Sequence, residues 1–335
     1  MPSLRIRALN AVGFALALGP MAAAEPETKY GVVAITSEND LFGGTDKNYS
    51  NGLRAEFITR PREARGVFRR VADFIPGLNV QRTNVREGVG VSHAIFTPEN
   101  IETPTPDPND RPYAGWLAIS GTVMANDDDT QDSLQINLGI VGPSAGGKFV
   151  QTNWHELIDG VEPRGWDTQL KDEPGIEIIA QRQQVFFRTT ALPFGLEADA
   201  AFNLGGAVGN VRTYADVGGM VRLGGTLDAT EFGPPRIRPA LAGAGGFQKK
   251  DGIGGYLFAG VQGRVIGRDI FLDGNTYRDS RRVSDRRDLV ADIQAGTAIH
   301  WDAVQVSFTY VHRTEQFVAQ DGPQRFGAIS VAIAY

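Results

Sequence analysis

Apolar and polar residues alternate along most of this chain with a period of two. Twelve segments carry the pattern: Lys29–Glu38, Gly52–Arg60, Arg86–Thr97, Gly115–Ala125, Ser133–Gly142, Gly175–Arg188, Leu196–Gly209, Tyr214–Gly224, Gly255–Asp269, Asp288–Trp301, Val304–Phe317 and Phe326–Tyr335. Alternation of this kind reads as strands with one apolar and one polar face. The segments are longer than the ~5–6 residues usual in a soluble sheet, and match the ~9–11 residues that a tilted strand needs to cross a bilayer. The last one is the clearest. Ile329, Val331, Ile333 and Tyr335 alternate with Ser330, Ala332 and Ala334, which puts an apolar face ending in an aromatic at the C-terminus. The pattern predicts an all-β fold, a twelve-stranded antiparallel transmembrane β-barrel with short helices in its loops. Lipid offers no partner to an unpaired edge, so such a sheet must close, and an even strand number suits a single-chain bacterial barrel. Residues 237–247 are read as part of a connection rather than as a thirteenth strand. An edge strand of a secreted sandwich is the competing reading of the last segment.

The first residues bear on compartment. Arg5 and Arg7 precede an apolar run, Ala8–Gly19, and small residues at Ala22 and Ala24. This is the layout of a signal peptide over residues 1–24, leaving 25–335 as the barrel domain. The chain has no cysteine, so burial and a closed hydrogen-bonded sheet must hold it together. Its 33 basic and 39 acidic residues give a formal charge of −6, which argues against a nucleic-acid partner. A monomer is expected.

With the N-terminus inside, the connections after odd-numbered strands face outward: residues 39–51, 98–114, 143–174, 210–213, 270–287 and 318–325. The inner connection Pro61–Asn84 has Val67, Phe68, Val71, Phe74 and Ile75 at helical spacing, which predicts a short amphipathic helix.

Three of the outward connections are rich in polar groups. In the first, Ser37–Gly52, the sequence SENDLFGGTDKNYSNG gathers Asn39, Asp40 and Ser50. A polar surface turn is the plain reading of such a stretch; the hard oxygens of Asn39 and Asp40 also suit calcium. The second ends in Asp110, Arg111 and Tyr113. In the third, Lys148–Ile158 reads as a helix with Gln151 and His155 at i and i+4 on one face. His155 is the candidate general base, since imidazole can take a proton near neutral pH. The other histidines, His93, His300 and His312, fall within strands or on an inner end. There is no GxSxG elbow and no HExxH, which disfavours the common soluble serine hydrolases and zincins.

SENDLFGGTDKNYSNGLR, NDRPYAGW and GIVGPSAGGKFVQTNWHELIDGVEPRGWDTQL together resemble the lipid A 3'-O-deacylases of Gram-negative outer membranes, over essentially residues 25–335. The resemblance implies a twelve-stranded outer-membrane barrel that removes the 3'-linked acyloxyacyl chain of lipid A by calcium-dependent ester hydrolysis, acting among the outer-membrane lipids on the outer leaflet. It assigns Asn39, Asp40, Ser50, Gln151 and His155 to catalysis, and Asn39, Asp40 and Glu162 to the metal, with Glu156 and Asp159 as rivals of Glu162. The substrate-binding lysine of the family has no counterpart in residues 97–105. Two other functions compete: an outer-membrane phospholipase with Ser50 as nucleophile, and a porin or adhesin with no chemistry.

Overall fold

The computed structural model describes residues 30–43, 48–61, 84–126, 129–229 and 247–335. Its strands are β1 (Val32–Asn39), β2 (Asn48–Ile58), β3 (Asn84–Thr97), β4 (Ala114–Asn126), β5 (Thr130–Val141), β6 (Glu173–Thr189), β7 (Glu197–Gly209), β8 (Arg212–Gly225), β9 (Lys250–Asp269), β10 (Leu289–Asp302), β11 (Val304–Arg313) and β12 (Gln324–Ala334). Each pairs antiparallel with its neighbours in sequence. β1 also pairs with β12, Val32 opposite Ala334 and Asn39 opposite Gly327, so the sheet closes into a barrel. The expected strand number and closure are therefore borne out. Two of the expected segments, Pro61–Asn84 as a helix and 237–247 as a connection, fall almost wholly outside the described residues, as does the leader over residues 1–24.

The alternation read from the sequence becomes the two faces of the wall. Ile35, Leu53, Val91, Ile119, Val217, Leu257, Val261, Ile293 and Ile329 point outward and are exposed, as a lipid-facing belt must be. Phe57 and Tyr335 stack at 5.3 Å where the first and last strands meet.

The inward positions are largely polar and buried, and many of them pair with one another. Arg54 bonds Glu56 and Gln135. Arg212 forks onto Glu177, Arg222 onto Asp199, and Arg264 and Arg313 both fork onto Asp292. Gln262 and Asn203 donate to Asp216. Side chains thus fill the interior with paired charge, the condition under which buried charge is tolerated.

The two rims differ. On one rim β10 and β11 are joined through Ala303 alone and β4 and β5 through three residues, with long connections only after β2 and β8; on the other rim the connections after β1, β3, β5, β9 and β11 are long or carry structure of their own, and only that after β7 is tight. Long loops mark the outer end of a transmembrane barrel and tight turns the inner one. Two helices lie on the outer rim, α1 (Gly147–Leu157) between β5 and β6, and α2 (Ile270–Asp273) after β9. Among the described residues no helix is long and apolar enough to cross a membrane.

Candidate active site

α1 is held against the outside of the wall by close backbone approach. The helix opens on Gly147 after Gly146, which has φ 76°. A Cβ on Gly147 would lie 2.6 Å from the ring of Trp166 and 3.2 Å from the Cα of Gly115 on β4, so only glycine lets the helix start seat here. His93 on β3 bonds the Ala145 carbonyl through Nε2 at 2.9 Å and braces the turn that leads into the helix.

The connections interlock above this contact. Trp166 is fully buried, packs against Tyr113 at 4.8 Å, and donates its indole N–H to Gln151 Oε1 at 2.8 Å. Arg164 N–H donates to Ile101 O, and Leu170 N–H to Tyr113 O. Arg111 is buried; it donates to Asn48 O and Gln316 Oε1 and lies over the rings of Phe96 and Phe317. Burial pushes its guanidinium down to about 10, against the pull of Asp269 and Asp110, so it stays charged at neutral pH. Burial likewise raises the Asp110 carboxyl, opposed by hydrogen bonds from the backbone of Glu99 and Arg111. The polar end of the second connection is therefore a clamp that fixes the rim.

The other half of the site comes from β1 and β2. Asn39 ends β1, and Asp40 opens a short 3-10 turn, Asp40–Gly43. β2 starts four residues before the expected Gly52. Asn48 adopts φ 75°, and Asn48–Asn51 pair with β3 instead of forming a turn. The register slips between Tyr49 and Asn51, leaving Ser50 as a bulge residue without an opposite number. A bulge re-aims side chains: Tyr49 packs in the buried aromatic cluster with Phe96 and Phe326, and Ser50 shares a 2.7 Å hydrogen bond with Thr97. The polar stretch Ser37–Gly52 that reads as a loop is in part a distorted strand end.

Between these halves lies a cavity of about 530 Å3, lined by Ser37, Asn39, Asp40, Phe42, Ser50, Asn51, Leu53, Ile95, Val150, Gln151, Trp154, His155 and Ile158. Ser37, Leu53 and Ile95 are outward positions of their strands, so the cavity is on the lipid side of the wall, under α1. All five residues expected to act in catalysis line it. Its chemistry is one-sided: carboxylate, amides, hydroxyl and imidazole gather together, and the remaining surface is apolar.

Two details orient the polar groups. His155 Nδ1 lies 2.5 Å from the carbonyl of Val161. A carbonyl only accepts, so Nδ1 carries the proton and the lone pair of the neutral ring is on Nε2. The chain reaches this position by reversing at Asp159, with φ 53°, and passing the ring at Gly160, where a Cβ would stand 3.2 Å from Nδ1. Gln151 is similarly fixed. Its Oε1 accepts from Trp166, which identifies the other terminus as the NH2 group, and this buried donor has no partner among the described residues. Trp166, Thr97 and the Val161 carbonyl are the site-forming groups that motif reading misses.

Glu162 is elsewhere. It is exposed and paired with Arg164 at 3.0 Å, and neither it nor Glu156 or Asp159 lines the cavity. Asp40 is the one carboxylate of the lining, joined by the amide oxygens of Asn39 and Asn51 and the Ser50 hydroxyl. Among the described residues no group of three or more His, Cys, Asp or Glu gathers as a metal cluster. The oxygen donors fit a hard cation such as calcium, held by one carboxylate with neutral oxygens.

A closed sheet that is apolar outside and charged within, with a polar cavity on its lipid side, defines an outer-membrane β-barrel. The chain belongs to the LpxR family: the family model, described as outer membrane protein LpxR, matches residues 9–335. Among solved structures it is similar to LpxR from Salmonella typhimurium, with 18% identity, 91% of this chain and 100% of that chain covered, and a TM-score of 0.74. The likeness to the β domain of the Bordetella autotransporter BrkA is much weaker, with 11% identity, coverage of 92% and 100%, and a TM-score of 0.43. No curated protein matches the chain. The family suggested by the three motifs is thus borne out, together with the barrel and its place in the bacterial outer membrane.

Proposed function

We propose that this barrel is a lipid A deacylase that hydrolyses the 3'-linked acyloxyacyl ester, with His155 as general base. Family membership supports an outer-membrane lipid A deacylase. The observation that carries the chemistry is the pinned imidazole of His155 sharing a lipid-side cavity with the free NH2 of Gln151 and the Asn39–Asp40 pair.

The steps follow from those groups. His155 Nε2 takes a proton from water as the water oxygen bonds to the ester carbonyl carbon. The carbonyl oxygen becomes an oxyanion, and the Gln151 NH2 donates to it. Ser50 adds a second hydroxyl donor while its Thr97 bond holds it in place. The bond from the carbonyl carbon to the sugar oxygen then breaks. His155 returns the proton to that oxygen, leaving a sugar hydroxyl and a free acyloxyacyl acid. Calcium, when bound, supplies positive charge that polarises the carbonyl; Asn39 and Asp40 are the residues that would hold it. Ser50 is assigned a donor's role rather than a nucleophile's, because its partner is Thr97 and not an imidazole. The filled interior speaks against a porin.

The test is mass spectrometry of lipid A from cells expressing the wild type or His155→Ala. The wild type should remove one acyloxyacyl group, and the variant should be slower by about 10²–10⁴-fold. A chelator should suppress the wild type, and added calcium should restore it. Lipid A left intact by the wild type would overturn the proposal.

A further inference from the structure

A second concavity lies on the lipid-facing wall directly below the cavity. Its volume is about 700 Å3, and its outward lining includes Val33, Ala55, Phe57, Val89, Ile119 and Leu138 from β1 to β5. Gly121 on β4 and Ala55 on β2 are small outward residues between these larger ones, so the wall is indented there. The two concavities share strands. On β2 the outward residues run from Asn51 and Leu53 in the cavity to Ala55 and Phe57 in the groove. On β1 they run from Ser37 through Ile35 to Val33, and on β3 from Ile95 through His93 to Val91. From Leu53 to Phe57 is four residues, or about 13 Å along the strand.

Resting on the deacylase reading, we infer that this groove is the subsite for the acyl chain of the ester being cleaved, and that Ala55 and Gly121 set the chain length accepted. The lining is almost wholly apolar and faces the hydrocarbon layer, so its occupant is a hydrocarbon chain. Because on β2 it starts one outward position below the cavity, at Ala55 after Leu53, the occupant is the chain whose carbonyl is beside His155 rather than a chain bound independently. The walls lie on strands, so the groove is rigid and suited to discriminating length. A chain in this furrow also places its ester at the cavity without passing through the barrel.

The experiment is a rate profile of purified full-length protein in mixed micelles, over lipid A substrates graded in acyl-chain length. Gly121→Leu and Ala55→Leu add an apolar side chain to a lipid-facing position and should leave the barrel intact, checked by its compact migration without boiling. Ala259→Leu on β9, an outward position of the far wall, is the control. Each groove variant should shift the ratio of rates on short and long chains toward shorter chains by about tenfold, and the control should keep the wild-type ratio. Folded groove variants with the wild-type length profile would overturn the inference and mean that the groove holds only bilayer lipid. A wild type that cleaves no substrate would instead sink the deacylase reading itself.

Discussion

Gln151 shows how much of this site depends on one hydrogen bond. An amide side chain can present either its oxygen or its nitrogen to a substrate, and the choice reverses its chemistry. The Trp166 indole can only donate, so it claims Oε1 and leaves NH2 for the cavity. Trp166→Phe should keep the packing against Tyr113 and lose that instruction. The expected result is a fall in kcat of about 10–100-fold with KM nearly constant, measured on the same lipid A substrate. A purely structural tryptophan would lower thermal stability and leave kcat at 25 °C alone. Motif reading reaches Gln151 and His155 because they sit four apart on one helical face. It does not reach Trp166, fifteen residues away across an irregular turn, and it cannot reach the Val161 carbonyl, since every residue has one. The assignment of Glu162 to the metal rests on the family resemblance alone, and the chain turns that side chain toward Arg164.

At the scale of elements, the site is a helix laid on a wall, and its precision depends on how closely the two approach. The contact is made at Gly147 and Gly115, with the Trp166 ring at its edge. Gly147→Val would bring branched carbon to within 2.6 Å of that ring before any relaxation. The helix must lift or turn, carrying Gln151 and His155 with it. We expect activity to drop by about 100-fold or more while the barrel still migrates as a folded species, because the strands are untouched. Equal loss of both would show that the helix is needed to fold the wall. The strands themselves were legible, since their two-residue period is imposed by lipid on one side and packed charge on the other. The start of β2 was not. A bulge is a property of the register between two strands, and the run of Asn, Ser and Tyr before Gly52 carries turn composition while pairing with Phe96 and Thr97.

At the scale of the molecule, stability and chemistry occupy opposite faces of one wall. The interior is held by forked pairs, and Asp292 is shared by two of them, accepting from both Arg264 and Arg313. Asp292→Ala would leave the buried guanidinium groups of Arg264 and Arg313 facing each other without the carboxylate they share. Removing one partner of a buried ion pair costs about 3–5 kcal/mol, so the temperature at which the barrel loses its compact migration should fall clearly. The cavity, by contrast, is built from outward side chains of β1, β2 and β3 and from α1, and none of its lining residues takes part in the Asp292 cluster. At 25 °C the folded variant should therefore cleave lipid A within about twofold of the wild-type rate, since Asp292 and its two arginines are on the inner face of the wall and the cavity is on the outer one. A rate that falls in step with stability would mean that the charged interior also sets the position of the outer rim, and that the two faces are coupled through the strands they share.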